Sequence, residues 1–172
     1  MERQHSLNGQ LKGLLKLTRW DEHIAFVIPL TLLGSLLAVH LNGLSLDWRI
    51  VVVIMANIIA VSCGFMINDI EDAPDDARDP DRAARNPIAS GEVTERTGYS
   101  AYYALTVVAL ILYLLSGIVI LLISLIMLLL SHLYSWRPIR LKAMPVVDIL
   151  SHSVLLGGFL ILAGFLTYFG TL

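Results

Sequence analysis

Asn68, Asp69, Asp72 and Asp76 follow the spacing N-D-x-x-D-x-x-x-D at the point where a long apolar run gives way to polar sequence. Steps of three and four residues put side chains on one helical face, so the carboxylates line up if the apolar run continues as a helix. Like charges so placed repel by roughly 0.2–0.5 kcal/mol per pair, more near an apolar boundary, and a cation is the natural compensation. Carboxylate oxygens and an amide carbonyl are hard donors. They suit Mg²⁺, which takes one or two carboxylates, keeps waters and shares its remaining sphere with phosphates. A solvated acidic loop would explain the charge alone, but not the ordered spacing, the Asn at the apolar boundary or the arginines that follow. Pro74 interrupts helical hydrogen bonding, so the expectation is a bend there, with Asp76 on a new turn. Asp75, Asp76 and Asp79 also form D-D-x-x-D, whereas an EF-hand loop is excluded by the lack of its glycine and closing glutamate.

The elements that position this row are apolar. With 56% hydrophobic residues, 15% charged residues and a mean hydropathy of +0.74, the chain is far more apolar than soluble domains. Stretches 24–41, 50–67, 99–116, 118–134 and 146–169 each reach the roughly 20 residues that span a bilayer as a helix. The fold class is an all-α, polytopic membrane bundle of about five transmembrane helices, with residues 1–172 as a single membrane domain. Only Ser116 and Gly117 separate the third and fourth stretches, which requires a tight hairpin. Of twelve basic residues, all but Arg49 fall on one side: Arg3, Lys12, Lys16 and Arg19 before the first stretch, Arg78, Arg82, Arg85 and Arg96 after the second, Arg137, Arg140 and Lys142 after the fourth. The positive-inside rule makes that side cytoplasmic, with the N-terminus inside and the C-terminus outside. Both substantial loops, 68–98 and 135–145, share this side, so polar chemistry belongs there. The polar, mixed-charge first 22 residues do not read as a cleaved signal peptide. Cys63 is a lone cysteine, which excludes a disulfide framework or a zinc site. The localisation expected is a multi-pass integral membrane protein, in a prokaryotic plasma membrane; no feature points to nucleic acid.

Three blocks in order resemble the UbiA family of intramembrane prenyltransferases: Asn68 to Asp76, Arg85-Asn86-Pro87-Ile88-Ala89-Ser90-Gly91, and Tyr134 to Lys142. The resemblance implies a helical bundle whose cavity opens to the cytoplasm and to lipid and binds a prenyl diphosphate through Mg²⁺. It implies Asn68, Asp72 and Asp76 as metal and diphosphate ligands, Asp69 alongside, and Arg85, Arg140 and Lys142 on phosphate oxygens, with Tyr134 and Ser135 nearby. Asp72, Asp76 and Lys142 are the candidate catalytic residues. The reaction implied is transfer of the prenyl group to a lipophilic acceptor, aromatic, carotenoid or another lipid, within the membrane. Metal and cations would stabilise the departing diphosphate, and a water-poor cavity would protect an allylic cation.

Members of that family have about nine helices and a second acidic motif in a later loop. After Glu95 the only acid here is Asp148. The chain therefore reads as the N-terminal portion of a larger bundle, weakly active or inactive alone; pairing with a second half-chain or with itself, and an inactive partner subunit with a cation-binding loop, are the alternatives. A CDP-alcohol phosphotransferase is disfavoured because its D-G-x-x-A-R core is absent. Among the remaining polar residues, His132 and His152 are expected to make single interhelical hydrogen bonds, and Asp148 to assist the site or pair with Lys142. Ser153 with Gly157, and Gly158 with Gly164, are expected at close helix contacts.

Overall fold

The computed structural model describes residues 7–169; Arg3 lies outside them. Five helices long and apolar enough to cross a membrane are present, Trp20–Asn42, Arg49–Asp76, Glu95–Ser116, Ile118–Ser135 and Pro145–Phe169, and no strand occurs among the described residues. In chain order the elements are α1 (Leu7–Thr18), α2 (Trp20–Asn42), α3 (Arg49–Asp76), the short α4 (Pro80–Arg85), α5 (Glu95–Ser116), α6 (Ile118–Ser135), α7 (Pro145–Ser153) and α8 (Phe159–Phe169). A π-helical segment, Val154–Gly158, joins α7 to α8 in one continuous span.

Helix α1 was not foreseen as a separate element. Its leucines recur every three or four residues, with Leu17 buried and Leu11 and Leu15 exposed beside Lys12 and Lys16. That is the makeup of an amphipathic helix lying along a membrane surface. Arg19, at φ 50°, breaks the chain between α1 and α2. At the other end of α2, Gly43 adopts φ 64° and its N–H caps the Val39 carbonyl, as left-handed helix ends favour. Gly117, at φ 139°, makes the tight α5–α6 hairpin that the sequence requires.

Helix α3 is the axis. Its 28 residues rise about 42 Å at about 1.5 Å each, more than the roughly 30 Å of a hydrocarbon core. The excess carries the acidic row beyond the apolar layer. The helix does not stop at Pro74: it runs on to Asp76, and the Ala77 N–H reaches the Ala73 carbonyl. Proline here sits in the last turn, where the missing N–H removes a single hydrogen bond and little helix remains to be deflected.

Two contacts hold the bundle at depth. Helices α2 and α8 meet through glycines with no room for a side chain, since a Cβ on Gly34 would strike the Ile161 carbonyl and one on Gly164 the Thr31 carbonyl. Ser35 Oγ seals the crossing by donating to the Gly164 carbonyl at 3.1 Å. Beside it, buried Asn57 on α3 donates to Thr31 Oγ1 of α2 at 2.8 Å and accepts from Tyr113 of α5 at 2.7 Å. In lipid, packing of small residues and interhelical hydrogen bonds replace the hydrophobic effect as the cement between helices. Gly164 packs closely as expected, but Gly157 does not: a Cβ there would meet open space, and Ser153 is exposed. Both sit in or beside the π-helical segment, whose wider turn carries them off the helix contact.

Tyr113→Phe is expected to destabilise the bundle by about 1 kcal/mol, the range of interhelical hydrogen bonds in membranes, by unfolding in mixed micelles. Gly164→Val should cost more, about 1–3 kcal/mol as overpacking does, because the obstructing atoms are backbone.

Candidate active site

Asn68 sits between two cavities. On one side is an apolar cavity of about 290 Å³, lined among others by Gly64, Phe65, Leu128, Leu156 and Phe159, with Tyr134 and His152 as polar members. On the other is an open trough of about 940 Å³ with Asn68, Asp69, Asp72 and Asp76 on the α3 wall and cations from α1, α4 and the α1–α2 junction opposite. A largely apolar pocket with a few convergent polar groups at one end suits a long hydrophobic ligand with a charged head.

The α6–α7 loop delivers most of the counter-charge. Lys142 Nζ donates to Asn68 Oδ1 at 2.8 Å and to Asp72 Oδ2 at 2.5 Å. Arg140 donates to Asp72 Oδ1 at 3.1 Å and to Asp75 at 3.4 Å, and Ser135 Oγ donates to Asn68 Oδ1 at 3.2 Å. Arg140 reaches this position at φ 44°, a left-handed conformation that costs a non-glycine residue of order 1 kcal/mol or more. Arg19 shares that trait at φ 50°. Its guanidinium lies 3.6 Å from Asp69 and over the Phe65 ring, and a double hydrogen bond to Glu22 raises its pKa further above the ordinary arginine value.

Other acids on α3 serve the architecture. Buried Glu71 accepts from Tyr99 of α5 at 2.6 Å, and Arg137 binds its carboxylate and its backbone carbonyl. Asn86 is the latch of the second block. Its Nδ2 donates to the Asp69 carbonyl and to Asp76 Oδ2, while its Oδ1 accepts the N–H groups of Ile88 and Ala89.

The structure thus brings Asn68, Asp72, Ser135, Arg140 and Lys142 into one constellation, with Asp69, Asp76 and Arg85 lining the adjoining trough. Tyr134 is elsewhere: its hydroxyl donates to Asp148 at 2.6 Å and meets His152 Nδ1 at 3.2 Å, beside the apolar cavity. Asp148 is accordingly the partner of Tyr134 and His152 and not of Lys142. His132 makes the expected single interhelical bond, to Tyr102. Among the described residues no three His, Cys, Asp or Glu side chains converge closely enough to hold a metal by themselves. The donors do converge on a cation, however. Asn68 Oδ1 and Asp72 Oδ2 both point at the Lys142 ammonium, and such a partial set of hard oxygens fits a Mg²⁺ that completes its sphere with phosphate and water.

The profile of the UbiA prenyltransferase family matches residues 27–172. The chain belongs to that family. Among solved structures, a UbiA homolog from Archaeoglobus fulgidus, described as bound to GPP and Mg²⁺, is similar with a TM-score of 0.74 and 20% identity over 91% of this chain. The alignment takes in 54% of that homolog, so this chain spans about half its length. At this identity the likeness is one of fold. No curated protein matches. Together with the five spanning helices, membership marks the chain as an integral membrane protein.

Lys12, Lys16, Arg19 and Asn86 of the site went unassigned from sequence. The signal for the first three was Lys12-Lys16-Arg19 spacing at i, i+4 and i+7 among leucines, a basic helix face. Asn86→Ala should release the 86–93 segment from α3, seen as faster amide exchange at Ile88 and Ala89 and a loss of about 2 kcal/mol.

Proposed function

We propose that this chain forms the diphosphate-binding half of an intramembrane prenyltransferase, acting with Mg²⁺ to transfer a prenyl group from a prenyl diphosphate to a lipophilic acceptor. The observation that carries the reading is the position of Asn68 and Asp72, whose oxygens meet Lys142 where a charged trough adjoins an apolar cavity. The head of an amphiphile would lie in the trough and its chain in the cavity. Mg²⁺, when bound by Asn68, Asp72 and Asp76, would offset charge on the leaving diphosphate.

The chain's own groups have distinct parts in this reading. Lys142 and Arg140, which pair with Asp72, would be free to donate to phosphate oxygens if a metal took over the carboxylates. Arg85 and Ser135 add donors at the rim. Residues such as Phe65, Leu128 and Phe159 keep water from the reacting carbon, which limits hydrolysis. Eleven of twelve basic residues lie on one side of the spans, and we place the site at the cytoplasmic face on that basis. The chain spans about half the length of the Archaeoglobus homolog, which supports its being one portion of a larger bundle; we take residues 1–172 as the N-terminal portion, completed by further helices or a second chain.

The test is binding of geranylgeranyl diphosphate to the chain in lipid nanodiscs. Binding is expected to require Mg²⁺ and to weaken at least about tenfold in the Asp72→Asn, Asp76→Asn double variant, as loss of charge-assisted contacts predicts. A folded chain that ignores both metal and ligand would instead be a partner subunit with an acidic loop. Transfer by the isolated chain is expected to be weak, measured with radiolabelled prenyl diphosphate and a lipid extract as acceptor; vigorous transfer would remove the need for a second half.

A further inference from the structure

Helix α1 precedes the residues that the family profile matches, yet it forms one wall of the trough. Five cations line that space with the α3 acids: Lys12, Lys16, Arg19, Arg82 and Arg85. Three of them are already engaged. Lys16 Nζ is held by Glu92 and by the Ala84 carbonyl, Arg19 by Glu22 and Asp69, and Arg82 by Asp79. Lys12 and Arg85 have no hydrogen bond or ion pair among the described residues. They are also neighbours in the fold. Lys12 and Lys16 share a face of α1 at i, i+4, and Lys16 is anchored on the carbonyl of Ala84, the residue next to Arg85. Gly13 packs so tightly against Val93 that α1 cannot lean away from this segment without losing the contact.

A cation site would need only the acidic wall. Asp21 and Glu22 line the same trough, so its charge is mixed; Lys12 and Arg85 are the two cations there without an ion pair among the described residues, and they are left to meet an anion that accompanies the metal. We propose that α1 is part of the substrate site, with Lys12 and Arg85 taking the terminal phosphate of the prenyl diphosphate while the inner phosphate lies toward Asn68 and Lys142. This rests on the prenyl-diphosphate reading of the site and adds a residue from outside the family-matched stretch. The same phosphate chemistry is offered by an anionic lipid headgroup, so the test separates the two.

The full chain is placed in phosphatidylcholine nanodiscs with Mg²⁺, and affinities for geranylgeranyl diphosphate and geranylgeranyl monophosphate are measured for Lys12→Gln, Arg85→Gln and a control, Arg78→Gln. Arg78 is exposed, pairs only with Asp75 and does not line the trough. Each trough variant is expected to weaken the diphosphate about three- to tenfold, as for a partly solvated charge-assisted contact, and the monophosphate less than about twofold. The control should leave both unchanged. Since Lys12 is exposed, its variant should unfold at the wild-type temperature, which keeps the comparison fair. Equal affinity of Lys12→Gln and wild type for the diphosphate overturns the inference and leaves the prenyl-diphosphate reading standing. So does a parallel loss for both ligands, or a Lys12-dependent effect seen only on adding phosphatidylglycerol. A wild-type chain that binds neither ligand overturns the underlying reading and this inference with it.

Discussion

The organising constraint is electrostatic: α3 carries Asp69, Glu71, Asp72, Asp75 and Asp76 within eight residues at the end of a membrane-spanning helix. Carboxylates near an apolar boundary are costly unless paired. Every connection at this end of the bundle terminates on one of them. The α1–α2 junction brings Arg19 to Asp69, α5 brings Tyr99 to Glu71, the 86–93 segment brings Asn86 to Asp76, and the α6–α7 loop brings Arg137, Arg140 and Lys142. The loops take their shape from that demand, even at the cost of two arginines in left-handed backbone conformations. Surface ion pairs contribute little singly; here they converge on one partly buried helix, and their value lies in bringing distant segments together.

Deeper in the bundle the constraint is steric. The Gly34–Gly164 crossing fixes α8 against α2, and the Thr31–Asn57–Tyr113 chain ties both to α3 and α5. Rigid packing at depth and charge pairing at the end leave the apolar cavity between α3, α6 and the last span. Asn68 belongs to both regimes, the last polar residue of one cavity and the first of the other.

Much of this was legible in the residues. Hydropathy alone gives all five spans, because backbone hydrogen bonding in lipid leaves few alternatives to a helix. The three motif blocks contain Asn68, Asp72, Ser135, Arg140 and Lys142, and in the fold these residues are in contact. What stayed hidden depends on tertiary geometry. Pro74 carries the rule that proline breaks helices, but the rule weakens in a last turn. Tyr134 and Ser135 are adjacent in sequence, and one residue of helical rotation sends Ser135 to Asn68 and Tyr134 to Asp148. Helix α1 was masked by its mixed charge, since a short amphipathic helix has too little apolar sequence to stand out beside true spans. Ser153 and Gly157 had the spacing of a packing motif, and a π-helical turn moved them off the interface.

That turn governs what the last span can do. An α-helix advances about 100° per residue, and a π-helical turn inserts roughly one residue without lengthening the helix proportionately. Below Val154–Gly158 the span shows α2 its small face at Gly164; above it, the same span shows the cavity His152, which pairs with Asp148 one turn away. A regular helix would hold these two faces in a fixed phase. The chain therefore has a single-residue phase shifter in this span: shortening it by one position there would restore α-helical winding, and the polar groups would rotate about a quarter turn away from the cavity while the glycine crossing stayed in place.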